Sequence, residues 1–279
     1  MKKYEKLIFL GCSFTYSQDC LATLEYRETN LKQIGYPEGK GFLDYWKMEE
    51  TYPYRVGRKL DIPVQNLGLM GNANDAMSHQ LYNWAWENMN RVDFEKVLFV
   101  VGATSPYRFS TTRLADYRSY VKLAATTDLF PLLLANNTDQ AIDQQRSDSR
   151  IPSFVFDDLA QYRRHLADEP MQYHAIRDMF TLMGMKEFGR SIGLDVCIID
   201  ILYRQQQLRK SEGRWYRPEL VNVFDNKGAL HDRVTEEGIR RKGGRGGFVS
   251  AYTRHYTNEG YDYLAELVTD ILCERYDVK

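Results

Sequence analysis

The sequence predicts an α/β fold of three layers, α/β/α, with a short parallel sheet between helices. Three observations carry that expectation. Short apolar runs of strand length recur along the chain, segments of helical period separate them, and 279 residues at 43% hydrophobic suffice for a sizeable core. Apolar runs alternating with amphipathic segments read as βαβ units, which bury a parallel sheet on both faces.

Lys6–Gly11 (KLIFLG) is a continuous apolar run closed by glycine, the pattern of a strand covered on both faces. Thr51–Leu60, with Tyr54, Val56 and Leu60, predicts a helix that Asp61-Ile62-Pro63 breaks. Val64–Leu69 (VQNLGL) reads as a second strand. Across Ala73–Asn90, Met77, Leu81, Trp84 and Ala85 recur at helical spacing and leave the other face polar. Lys96–Val101 (KVLFVV) is the third strand and the clearest.

Between Ala103 and Gly193 the pattern loosens. A helix is expected near Leu114–Ala125, then an apolar stretch at Leu129–Ala135 and a polar, solvated excursion over Asn136–Arg150. Phe156–Arg190 reads as one or two helices interrupted around Pro170, and Asp195–Ile201 as the fourth strand. About 90 residues separate the third and fourth strands, where a crossover needs roughly a dozen or more. One domain over 1–279 is therefore expected to carry a helical or loop insertion around 106–190, either a cap or an oligomerisation surface. Glu237–Gly247 (EGIRRKGGRGG) reads as a mobile basic loop, solvated or closing over an anionic substrate. Thr257–Tyr276 is an amphipathic helix with Thr257 or Asn258 as its N-cap.

Composition narrows the function classes. Thirty-seven Lys and Arg against 38 Asp and Glu leave a net charge of −1, without the basic excess that phosphate contacts demand of a nucleic-acid binder. No stretch reaches the roughly 18 apolar residues of a membrane span. The apolar part of MKKYEKLIFLGCSF is shorter than the roughly 7–15 residues of a secretory signal. Cys12, Cys20, Cys197 and Cys273 are widely spaced, as free thiols would be. The expectation is a soluble, cytoplasmic protein of open oligomeric state. No HxH or HExxH spacing points to a metal, and no Walker loop or GxGxxG to a nucleotide, so no cofactor is expected.

In an open parallel sheet, ligands bind outside the carboxyl ends of the strands. Strand one ends in Gly11-Cys12-Ser13-Phe14-Thr15, strand two in Leu69-Met70-Gly71-Asn72-Ala73-Asn74, and strand three in Gly102-Ala103-Thr104-Ser105. Each delivers glycine beside small polar residues to one edge, and His255 precedes the last helix. A hydroxyl, an imidazole and glycine N–H groups are the parts for acyl transfer through an oxyanion.

Those segments resemble the SGNH (GDSL-type) hydrolase family. GCSFT resembles its GDS block, NLGLMGNAN its second block, VVGAT its GxND block, and HYTNEGYDYLAELV its final histidine block. The blocks come in the family's order and leave the middle of the chain uncovered. The resemblance implies Ser13 as nucleophile and His255 as general base. It implies an oxyanion hole from the N–H of Ser13, the N–H of Gly71 and the side chain of Thr104. An ester substrate follows, an acylated carbohydrate or lipid-like molecule.

The sequence departs from the family at Cys12, at Thr104 in place of asparagine, and at Tyr252, where DxxH has its aspartate. Asn72 or Asn74 could support the oxyanion hole, and Asp232 or Asp225 could supply the missing carboxylate. Arg108 sits beyond strand three, as a surface residue or a ligand for an anionic group. A neutral Tyr252 also leaves open an inactive module that binds a glycan or a protein partner. Ser13, Gly71 and Thr104 have plainer readings too, Ser13 as a helix cap and Gly71 and Thr104 as turn residues, while His231-Asp232 could supply a base–acid pair or a metal ligand.

Overall fold

A computed structural model of the chain describes residues 3–16, 50–68, 72–104, 108–110, 131–133, 171–203, 223–242, 247–249 and 255–278. The elements, in order, are β1 (Lys6–Leu10), α1 (Ser13–Tyr16), α2 (Tyr52–Leu60), β2 (Val64–Asn66), α3 (Asn74–Asn88), β3 (Val97–Ala103), β4 (Arg108–Ser110), β5 (Pro131–Leu133), α4 (Met171–Ser191), β6 (Asp195–Asp200), α5 (Leu230–Lys242) and α6 (Asn258–Tyr276).

Among the described residues one four-stranded sheet runs β2-β1-β3-β6, every pair parallel. Side chains alternate across a strand, so each strand feeds two cores. Leu7 and Phe9 of β1, with Leu98 and Val100 of β3, pack on Val56 of α2, Val234 of α5, and Leu264 and Val268 of α6. Ile8, Leu10, Phe99 and Val101 pack on Met77, Leu81 and Trp84 of α3 and on Leu182 and Met185 of α4. Helices thus cover both faces, as the strand pattern requires.

Helix ends follow local chemistry. Asp61 ends α2 in a left-handed conformation (φ 53°), its N–H donating to Arg58 and Gly57 carbonyls. Thr257 caps α6, its side chain accepting from the N–H of Gly260.

Three expectations change. The second strand is only three residues long; just past it the Leu67 N–H still donates to the Phe9 carbonyl at 2.8 Å, and the Asn66 side chain accepts from the Gly68 N–H. The third strand starts and ends later than expected and runs to Ala103, carrying Thr104 to the edge of the sheet. Glu237–Lys242 is no loop: it is the last turn and a half of α5. Arg240 and Arg241 reach back to Glu237 three and four residues earlier, and their charges favour the carbonyl end of the helix. Gly238 is there for contact, since a Cβ on it would strike the backbone of Phe248.

The stretch between β3 and β6 holds a small antiparallel ribbon, β4 with β5. It closes with α4, which packs on β6 and α3 as a crossover helix of the sheet. The helix expected near Leu114–Ala125, the polar stretch Asn136–Arg150 and residues 156–170 lie outside the described residues. Among the described residues no helix is long and apolar enough to cross a membrane.

Candidate active site

The strand order puts a crossover switch between β1 and β3, with β2 on one side and β6 on the other. A cleft at the carboxyl ends of such strands is the expected ligand position. Ser13 sits there, two residues beyond Gly11 at the start of α1, and its side chain is almost fully covered. The turn that aims it is tight: the N–H of Thr15 donates to the carbonyl of Cys12 at 2.9 Å.

Thr15 is buried and explains two glycines. A Cβ on Gly11 would collide with the Thr15 side chain, and one on Gly102 would come within 3.0 Å of its Oγ1. The ends of β1 and β3 therefore approach closely only with glycine at both places. Thr15 Oγ1 also meets Tyr52 Oη at 3.2 Å, and its carbonyl accepts from Asn66 Nδ2 at 2.9 Å. Thr15 thus ties the turn that carries Ser13 to α2 and β2.

His255 comes to this edge from the far end of the chain. Its Nε2 lies 2.8 Å from Ser13 Oγ, across 242 residues of sequence. Several contacts fix its backbone. Tyr256 pairs with Val249, and Thr257 N–H donates to the Phe248 carbonyl at 2.8 Å. The buried Arg55 of α2 donates to the Asn258 carbonyl at 2.9 Å and pairs with Asp262 at 2.6 Å. Tyr256 Oη meets His231 Nδ1 at 3.0 Å, which ties α5 to the same segment. The Phe14 ring packs on the rings of His255 and Tyr256, 4.9 and 4.8 Å away, and walls the pair from one side.

Thr104 follows β3 at the same edge and is fully buried. Its N–H donates to Asn74 Oδ1 at 3.0 Å and its carbonyl accepts from Asn74 Nδ2 at 3.1 Å. Thr104 Oγ1 has no hydrogen-bond partner among the described residues. Asn72 Nδ2 donates to the Gly11 carbonyl at 3.2 Å and to Gln80 Oε1 at 2.8 Å. Both asparagine amides are thus engaged in bracing the loops that carry them.

The remaining candidates separate. Asp225 is a correction: its carboxylate is committed to the N–H of Ile198 (2.7 Å), Tyr276 Oη (3.1 Å) and Lys186 (2.9 Å), beside the sheet and away from His255. Asp232 lies in the first turn of α5, one residue after His231. Arg108 lies in β4, where only the backbone is described. Gly71 and Tyr252 lie outside the described residues. His79 is exposed on α3, whereas His165 and the side chain of His174 are not described. Cys12 is buried in the core under Ser13, and Cys197 is buried in β6.

Two features carry no sequence signal. The Tyr256–His231 bond joins residues 25 apart, outside any motif spacing. Asp178, buried on α4, accepts from Asn74 Nδ2 at 2.7 Å, and nothing in MQYHAIRDMF singles it out. Burial pushes its carboxyl up to about 7, against the Asn74 bond and the Arg177 guanidinium, which pull it down.

Among the described residues no three His, Cys, Asp or Glu side chains gather as a metal would need. A cavity of 640 Å³ opens at the opposite edge, where β3 and β6 begin. Its Lys3 is paired with Asp195 (3.0 Å), Lys96 with Glu5 (2.6 Å) and Lys186 with Asp225 (2.9 Å), so it offers no surplus charge to an anion.

No family model and no curated protein matches the chain. Among solved structures it is similar to a member of the lipolytic G-D-S-L family from Veillonella parvula, at 12% identity, 98% coverage of both chains and a TM-score of 0.44. It is also similar to a catalytic mutant of an acetylxylan esterase from Geobacillus stearothermophilus, at 14% identity, 98% and 95% coverage and a TM-score of 0.40. At these identities and TM-scores the likenesses decide neither chemistry nor substrate.

Proposed function

We propose that the protein is a serine hydrolase of the SGNH type that cleaves an ester through an acyl-enzyme on Ser13. One observation carries the reading: Ser13 Oγ and His255 Nε2 lie 2.8 Å apart at the carboxyl edge of a parallel sheet. With its proton on Nδ1, the imidazole accepts the Ser13 proton at Nε2 as Oγ bonds to the carbonyl carbon. The tetrahedral oxyanion then forms beside the N–H of Ser13 and the end of β3, where Thr104 Oγ1 has a hydrogen to give. Collapse breaks the ester C–O bond, and the imidazolium returns the proton to the departing alcohol. Water attacks the acyl-enzyme by the same route and frees Ser13.

The acidic partner of a Ser-His pair stabilises the imidazolium, and its loss costs roughly 10⁴-fold in well-studied cases. Tyr252 stands at the family's position for that acid, so turnover is expected to be slow unless Asp232 supplies the charge. The substrate belongs to the acyl esters, with acylated carbohydrates and lipid-like esters the classes to try. Hydrolysis of p-nitrophenyl acetate and of an acetylated oligosaccharide, by native protein and by Ser13→Ala and His255→Gln, tests the reading. Turnover lost in both variants supports it. Turnover retained in Ser13→Ala removes Ser13 as the nucleophile, and turnover absent from folded native protein on every ester overturns the reading in favour of a binding module.

A further inference from the structure

Asp178 is a buried carboxylate bonded into the loops of the candidate site. It lies on α4, 104 residues from Asn74 in sequence, and its Oδ2 accepts from Asn74 Nδ2 at 2.7 Å. The same amide accepts from the Thr104 N–H and donates to the Thr104 carbonyl. Its two hydrogens go to two acceptors, Asp178 and Thr104, while its oxygen faces an N–H. Turning the amide over would set NH₂ against N–H and oxygen against both acceptors. Asp178 therefore fixes which way Asn74 points, and Asn74 fixes both polar groups of the Thr104 backbone.

We propose that Asp178 is a positioning residue of the candidate site, holding the Thr104 end of β3 in register with Ser13 through the amide of Asn74. This rests on the hydrolase reading above. Its chemistry differs from that of a packing residue. An asparagine would also accept from Asn74 and would carry no charge into the interior. Among the described residues, two charged groups act on Asp178. Arg177 reaches Oδ1 at 3.4 Å, and Asp75, on the facing helix α3, opposes its ionisation. The ionised carboxylate is the stronger acceptor, so the brace tightens as Asp178 loses its proton.

The test compares native protein, Asp178→Ala and Asp178→Asn on p-nitrophenyl acetate from pH about 5 to about 9. Hydrogen exchange of the Thr104 amide is read in parallel. Asp178→Ala is expected to lower kcat about 10²-fold, the cost of a small misplacement, with KM nearly unchanged and Thr104 exchange faster. Asp178→Asn is expected to recover most of that loss and to give a kcat–pH profile that differs from the native one, since only the native brace tightens as the carboxyl ionises. Native-like kcat in Asp178→Ala, or an Asp178→Asn profile that superimposes on the native one, overturns the proposal. If Asp178→Ala does not fold, the Asp178→Asn profile decides alone. Native protein inert towards the ester removes the hydrolase reading and this inference with it, whereas active native protein beside an unaffected variant removes this inference only.

Discussion

Thr104 and Asp178 lie two hydrogen bonds apart and make opposite demands on the fold. Thr104 buries a hydroxyl with no partner among the described residues, and an orphaned buried group costs about 1–3 kcal/mol. Thr104→Val keeps the shape and removes that cost. Its melting temperature is expected to equal or exceed the native value, while kcat falls about 10²-fold as an oxyanion donor is lost. Unchanged kcat would make Thr104 a turn residue only. Asp178 acts through pH. Folded, it keeps its proton to about pH 7; an ordinary aspartate loses it near 3.8. Between those values the folded chain binds more protons than the unfolded one, so raising the pH through the window removes stability. Asp178→Asn escapes this loss. Thermal melts should show the variant gaining on the native protein from pH about 4 to about 7, by about 1–4 kcal/mol in all. A constant difference across that range would mean that Asp178 does not titrate there.

At the scale of elements, the site is set by what holds β1, β3 and the start of α6 together. Arg55 and the Tyr256–His231 bond fasten the His255 segment to α2 and α5. Tyr256→Phe keeps the ring packing and loses the bond. It should lower ester turnover while costing about 1 kcal/mol or less of stability; native turnover would show that the Val249 and Phe248 contacts suffice. Gly238 gives a sharper case. Alanine usually improves a helix over glycine by about 1 kcal/mol, yet here its Cβ would strike the Phe248 backbone. Gly238→Ala should lower the melting temperature, by about 1–3 kcal/mol of overpacking; a raised value would mean that residues 247–249 do not press on α5. The same contact explains why α5 is hard to see in the sequence. Glycine beside a run of arginines reads as a loop, because the pattern does not show that Phe248 returns to lie against the helix. The apolar runs of β1, β3 and β6 were legible, since a strand buried on both faces needs no partner information to be recognised.

For the whole molecule, the consequence of the strand order is that the first and last segments of the sequence meet at one edge. Tandem apolar runs predict the sheet, but no spacing predicts that a serine at 13 and a histidine at 255 become neighbours. The order of the resembling blocks pointed to that pairing. Asp178 was illegible for a related reason: its meaning comes from Asn74, on another helix of the same layer, and not from its own neighbours. Nearness in sequence to His255 made Asp225 a candidate carboxylate, but it says nothing about Lys186 and Tyr276, which claim it. The polar groups of the candidate site thus come from both ends and the middle of the chain. Their proposed joint action makes Ser13 reactive through His255. Reaction of the folded protein with a fluorophosphonate, followed by peptide mapping, tests this most directly. One adduct is expected, on Ser13, formed far more slowly in His255→Gln. An adduct on any other residue, or a labelling rate indifferent to His255, would contradict it.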